Sequence, residues 1–221
     1  MSAWIRLGHK YEVDSLVENG LQYFRRFYAS VLNDSPYACP GPIKNDRPND
    51  VLGSHAIAIV NLARLTGSND LLPLAFLECC KLGVGIVNGC MREDGTVEYL
   101  HPDDLGRCFA AKDLLILQVV LAYFYLFGFA HVDDLCLDSK RCQGTLEDFR
   151  LALQTLSDSV EVDELLEQDR MESHIIDLYL LCAICRGKAH GIIRERREDF
   201  WKGLPQRFKI VVDGWTSEVA E

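Results

Sequence analysis

VDSLVENGLQYFRRFYASVL, residues 13–32, places Val13, Leu16, Val17, Leu21, Phe24, Phe27, Tyr28, Val31 and Leu32 at intervals of three or four, with Asp14, Glu18, Arg25 and Arg26 on the other side. That period belongs to an amphipathic α-helix and not to a strand. A shorter helix over residues 3–9 precedes it, with the chain turning around Gly8, so the two are expected to pack as a hairpin. Beyond them, residues 33–50 hold Pro36, Pro40, Gly41, Pro42 and Pro48 among Asn and Asp. Each Pro removes a backbone donor, so this stretch reads as an exposed loop.

Further along, residues 55–65 are apolar nearly all round, which suits a helix buried on most sides, and Gly67 supplies the left-handed residue that ends it. Ser68, Asn69 or Asp70 is expected to cap the next helix, residues 71–82, whose first turn tolerates Pro73. Gly83, Gly85 and Gly89 then break the chain, and Asp94-Gly95 sits between short apolar stretches like the turn of a small β-hairpin. Pro102, with Asp103 and Asp104 behind it, begins a long helix to about Gly128, the acidic groups favouring the positive end of its dipole. Two further helices read over 146–157 and 163–187, and a last one ends near Trp201, before Leu204-Pro205. The fold class is therefore all-α, a single domain of about seven or eight helices with one short hairpin near Asp94-Gly95. Its parts are a helix pair over 1–32, the Pro-rich loop 33–50 and a helical domain over 51–221.

One segment tests that reading. Residues 114–130 carry no charge and are almost wholly apolar, but they reach only the short end of the about 17 to 25 residues that span a bilayer. Lys112, Asp113, Asp133 and Asp134 bound them without basic clusters, so a core helix is expected.

The 221 residues are 48% hydrophobic and 25% charged, ordinary for a folded protein, and carry a net charge of -10. A negative surface repels phosphate backbones and anionic lipid, which points to protein partners and away from nucleic acid and membrane. Nine cysteines are an odd number in a chain too long for a small disulfide scaffold, so a reducing compartment, cytosol or nucleus, is expected. Residues 1–10 lack the basic, apolar and small-residue pattern of a secretion signal.

No catalytic constellation assembles: Gly-x-Ser-x-Gly, His-Glu-x-x-His and the phosphate-loop pattern are all missing from the sequence. Cys79 and Cys80, with His55 elsewhere, read as buried small hydrophobes with inert thiols. Glu93-Asp94 and Asp103-Asp104 read as turn and helix-start residues, and His101 and His131 as solvated imidazoles at helix edges. Arg186, Lys188, Arg194, Arg196, Arg197, Lys202, Arg207 and Lys209 make a basic C-terminal region. Glu195, Glu198 and Asp199 are interleaved with them at ion-pairing intervals, which describes a solvated face better than a nucleic-acid helix.

One pattern stands above this background. Cys182-x-x-Cys185 has the spacing of a metal-ligand knuckle, and Cys136 with Cys142 forms a second pair upstream. Four thiolates complete a tetrahedral zinc site, with His190 an alternative ligand. The competing reading is four plain buried thiols, and spacing alone leaves both standing. A redox Cys-x-x-Cys needs a strand-to-helix context that residues 178–181 do not supply.

WIRLGHKYEVDSLVENGLQYFRRFY (residues 4–28) resembles the helix pair that follows the last helices of a BTB/POZ domain. HAIAIVNLARLTGSNDLLPLAFLECC, MREDGTVEYLHPDDLGRC, CAIC with His190, and FWKGLPQRF are similar, in order, to the region after the BTB fold in a large group of BTB/POZ proteins from mushroom-forming fungi, the basidiomycetes. The resemblance spans nearly the whole chain and lies in the order of the five segments. It implies cysteines near Cys136, Cys142, Cys182 and Cys185 in other members, which favours zinc. The chain begins where the BTB fold should have ended, so BTB dimerisation and cullin binding are not carried over. The expectation is a non-catalytic protein-interaction or adaptor accessory domain; the alternative is a zinc-stabilised helical domain of a regulator acting on nucleic acid.

Overall fold

The computed structural model describes residues 2–33, 49–123, 132, 134–156 and 180–215. Its helices are α1 (Ser2–Lys10), α2 (Asp14–Asn33), α3 (Asn49–Thr66), α4 (Leu72–Lys81), α5 (Pro102–Tyr123), α6 (Ser139–Leu156), α7 (Ala183–Lys202) and α8 (Leu204–Arg207). Short 3₁₀ turns cover Asn69–Leu71 and Gly83–Asn88, and strands β1 (Cys90–Met91) and β2 (Val97–Glu98) pair antiparallel. The class is all-α, with the hairpin at Asp94-Gly95. The chain divides into two compact units, Met1–Asp113 with Lys202–Glu221, and Leu114–Trp201.

In the first unit α1 and α2 pack together, as their apolar stripes require. The turn between them is not at Gly8, which lies inside α1 and is buried. The chain reverses at Glu12, held at φ 57, while the Val13 N–H donates to the Gly8 carbonyl at 2.8 Å. Gly8 serves close approach instead: a Cβ there would stand 2.9 Å from Leu16 and Val17. Gly20 on α2 does the same for Ile5, since a Cβ there would overlap Ile5 Cγ1. Ile5 consequently drops into a notch on α2 and is fully buried. Trp4 and Tyr11 of the same pair remain 55% and 65% exposed.

Helix α3 begins at Asn49, six residues before the first residue expected. Asn33, at the other end of the expected loop 33–50, closes α2, and residues 34–48 lie outside the described residues. Ala56, Ile57, Val60, Leu62 and Ala63 of α3 are buried, and Gly67 takes the expected left-handed position at φ 71. There the Ser68 N–H reaches back to the Ala63 carbonyl at 2.9 Å, the bond that closes a helix C-terminus. The expected side-chain cap on the following helix does not form. A 3₁₀ turn carries the backbone into α4, and Asp70 is drawn off to Arg25 at 2.7 Å.

Helix α4 is the centre of this unit: Leu72, Pro73, Leu74, Ala75, Phe76, Leu77, Cys79 and Cys80 are all buried. Phe76 meets Phe208 at 5.2 Å between ring centroids. Leu204-Pro205, expected to lie beyond the last helix, instead opens the one-turn α8, with Pro in the first turn where its missing N–H costs nothing. Asp104 is buried near the start of α5, where Arg64 of α3 donates to both its oxygens at 2.7 and 3.1 Å. Arg107 caps the C-terminal turn by donating to the Phe208 and Lys209 carbonyls. In the hairpin, the Asp94 carboxylate accepts from the Thr96 N–H and hydroxyl, which holds it below its ordinary pKa.

The second unit contains the end of α5, α6 and most of α7. The apolar run expected to continue to residue 130 is described as far as Tyr123, and residues 124–131 lie outside the described residues. Leu115 is buried while Leu114, Leu117 and Leu121 form an exposed stripe. Among the described residues no helix is long and apolar enough to cross a membrane. Helix α6 starts at Ser139, seven residues before the expected start, because Asp138 caps it: its Oδ1 accepts from the Arg141 N–H at 3.1 Å. The helix expected over 163–187 is not continuous, since Leu181 and Cys182 are non-helical and α7 starts at Ala183. Residues 157–179, His131 and Cys39 lie outside the described residues.

Candidate metal centre

Two helix N-termini in the second unit carry the cysteines that the sequence singles out. Cys136 stands two residues ahead of the Asp138 cap of α6, and Cys142 one turn inside that helix, its N–H bonded to the Asp138 carbonyl at 3.0 Å. Cys182 immediately precedes α7, its carbonyl accepting the first helical bond from Arg186 at 2.9 Å, and Cys185 lies in the first turn. The stretch around Cys136 gets little apolar packing, since Leu135 and Leu137 on either side of it are 74% and 73% exposed, whereas Leu181, just ahead of Cys182, is buried.

The four Sγ atoms all lie within 4.8 Å of one another, Cys142, Cys182 and Cys185 buried and Cys136 half-buried. Cys136 Sγ is 3.6 Å from Cys182 Sγ. None of the eight described cysteines forms a disulfide. A tetrahedron of thiolates at the zinc–sulfur distance has edges of about 3.8 Å, so the observed spread needs a contraction of about 1 Å at most. His190, on α7, is not among the converging donors.

Backbone donors surround the cluster as well. The Cys182 N–H donates to Cys142 Sγ at 3.2 Å. Donation from the Cys185 N–H and then from Leu137 draws the Cys182 thiol down to about 6, while burial above all pushes Cys142 up. A sulfur just ahead of a helix, accepting from the N–H three residues on, fills the role of an N-cap oxygen and favours the thiolate. Soft anionic donors in a closed four-member set suit zinc, and they leave no coordination position for a substrate.

The other candidates separate from this centre. Cys79 and Cys80 are buried. Burial holds the Cys79 thiol protonated, and a hydrogen bond with Cys108 followed by burial does the same for Cys80. His55 is not their partner: its Nδ1 lies 3.7 Å from Cys90 Sγ, a pairing across 35 residues for which the sequence holds no signal. Asp103 is exposed beside His101 at 3.5 Å. In α7, Arg196 pairs with Glu195 at 3.8 Å and Asp199 at 3.6 Å, the interleaved ion pairs expected there. No family model, curated protein or solved structure matches the chain.

Proposed function

We propose that this chain is a non-catalytic protein-interaction domain whose Leu114–Trp201 unit is closed by a structural zinc held by Cys136, Cys142, Cys182 and Cys185. The observation that carries this reading is the convergence of four thiols within 4.8 Å at two helix N-termini. Zinc would supply the cross-link there, holding a segment whose flanking leucines are exposed and which packing cannot fix. With four protein ligands the metal has no open position, so the site stabilises without catalysing. The exposed Trp4, Leu7, Tyr11 and Tyr23 of the α1–α2 pair are the surface offered to another protein. A net charge of -10 and the internal ion pairs of α7 weigh against nucleic acid. The order of the five segments supports an accessory domain to a BTB fold, acting in cytosol or nucleus.

Paired variants test the site. In zinc, Cys182→Ser strands three ligands and lowers the melting temperature about 10 °C or more beyond the effect of Cys90→Ser. In a chelator the two shifts converge. Equal shifts in zinc would return these residues to plain buried thiols.

A further inference from the structure

Four equivalent ligands would make a uniform site, but the four cysteines are not equivalent. Cys142, Cys182 and Cys185 are buried, whereas Cys136 is half-buried on a segment between two exposed leucines. Cys136 is therefore the sulfur that a dissolved reagent meets first. The sulfur beside it is Cys182 at 3.6 Å. A disulfide needs about 2.05 Å between sulfurs, so the pair must close by about 1.5 Å. Cys142 is less suited as the second sulfur, because it lies one turn inside α6, whereas Cys182 stands just ahead of α7.

We propose that Cys136 is an oxidative modification site, and that peroxide entering there links Cys136 to Cys182 and opens the metal centre. This rests on the zinc reading for its consequence but not for its chemistry. In the first step the Cys136 thiolate attacks one oxygen of hydrogen peroxide. The S–O bond forms, the O–O bond breaks, and the departing hydroxide takes a proton to become water, leaving a sulfenic acid. In the second step the Cys182 thiolate attacks that sulfur. The S–S bond forms, the S–O bond breaks, and the second hydroxide leaves as water after taking another proton. Each sulfur is oxidised by one electron and each peroxide oxygen reduced by one. With two of the four thiolates consumed, the remaining pair cannot close a tetrahedral site, and the unit loses its cross-link. A dithiol reductant reverses the change.

The test exposes the full chain to hydrogen peroxide in two forms, zinc-loaded and zinc-free, with a chromogenic chelator reporting released metal and peptide mapping reporting the disulfide. In the loaded form, zinc appears in step with a Cys136–Cys182 disulfide, about one zinc per disulfide, and dithiothreitol restores binding. Cys136→Ser, treated alike, forms disulfide at Cys182 about tenfold more slowly or not at all. If zinc binds but peroxide leaves Cys136 unmodified, or links Cys142 to Cys185 instead, the modification site is overturned while the metal reading stands. If the chain takes up no zinc yet still forms the Cys136–Cys182 disulfide, the metal reading fails and the modification site stands.

Discussion

Asp104 lies in the first turn of α5, where the helix dipole already favours a carboxylate. Its actual surroundings are more demanding, because it is buried and the Arg64 fork grips both oxygens while Arg107 approaches at 3.4 Å. Arg64 also rests over the Phe76 ring, 5.7 Å from its centroid. Removing one partner of a buried ion pair costs about 3 to 5 kcal/mol because the other charge is stranded. Arg64 is partly exposed and can turn to water, which brings the cost to or below the lower end of that range. Asp104→Ala is expected to lower unfolding free energy by about 2 to 3 kcal/mol in urea, and Asp104→Asn by less, since one acceptor oxygen stays. A loss under about 0.5 kcal/mol would mark the contact as no better than a surface pair.

The α1–α2 pair depends on two glycines that let the helix axes approach. Gly20→Ala forces a methyl into Ile5 and is expected to cost about 1 to 3 kcal/mol as overpacking, while Ile5→Ala alone costs about 2 to 4 kcal/mol as a cavity. Combined, the added methyl occupies part of the space that Ile5 leaves, so the double variant is more stable than the sum of the singles by about 1 kcal/mol. Strict additivity in chemical denaturation would mean that the two residues do not meet. This pair also shows what the sequence makes legible. Its helical period, the Gly67 terminus and the Asp94-Gly95 turn are local features, written within a few residues. The position of the reversal is not, because Glu12 occupies a left-handed conformation that ordinarily selects glycine, and Gly8 drew the expectation instead. In the second unit, sparse apolar residues between Ser139 and Thr145 concealed the first turns of α6, although Asp138 is a good cap. Cys182-x-x-Cys185 was legible as ligand spacing, but its placement at a helix start was not, since the apolar pattern over 163–187 runs straight through it. The Cys90–His55 contact belongs to tertiary packing alone.

On the scale of the molecule, the converging cysteines belong to one unit alone. Met1–Asp113 with Lys202–Glu221 has the apolar core around α4, with Phe76, Phe208, Leu72 and Leu204 fully buried. In Leu114–Trp201 the four cysteines bring together two stretches of chain, 136–142 and 182–185. Removing metal with a chelator should therefore accelerate amide hydrogen exchange at residues 139–148 and 183–190, leaving α3 and α4 protected. Uniform acceleration of both units would mean that the centre has no local role. Occupancy of that centre decides between a zinc site and plain thiols, and the most direct measurement is metal analysis of the chain purified under reducing conditions without chelator. About one zinc per chain is the predicted result, lost in a variant lacking Cys182; less than about 0.2 zinc per chain would contradict it and leave four plain thiols in a helical core.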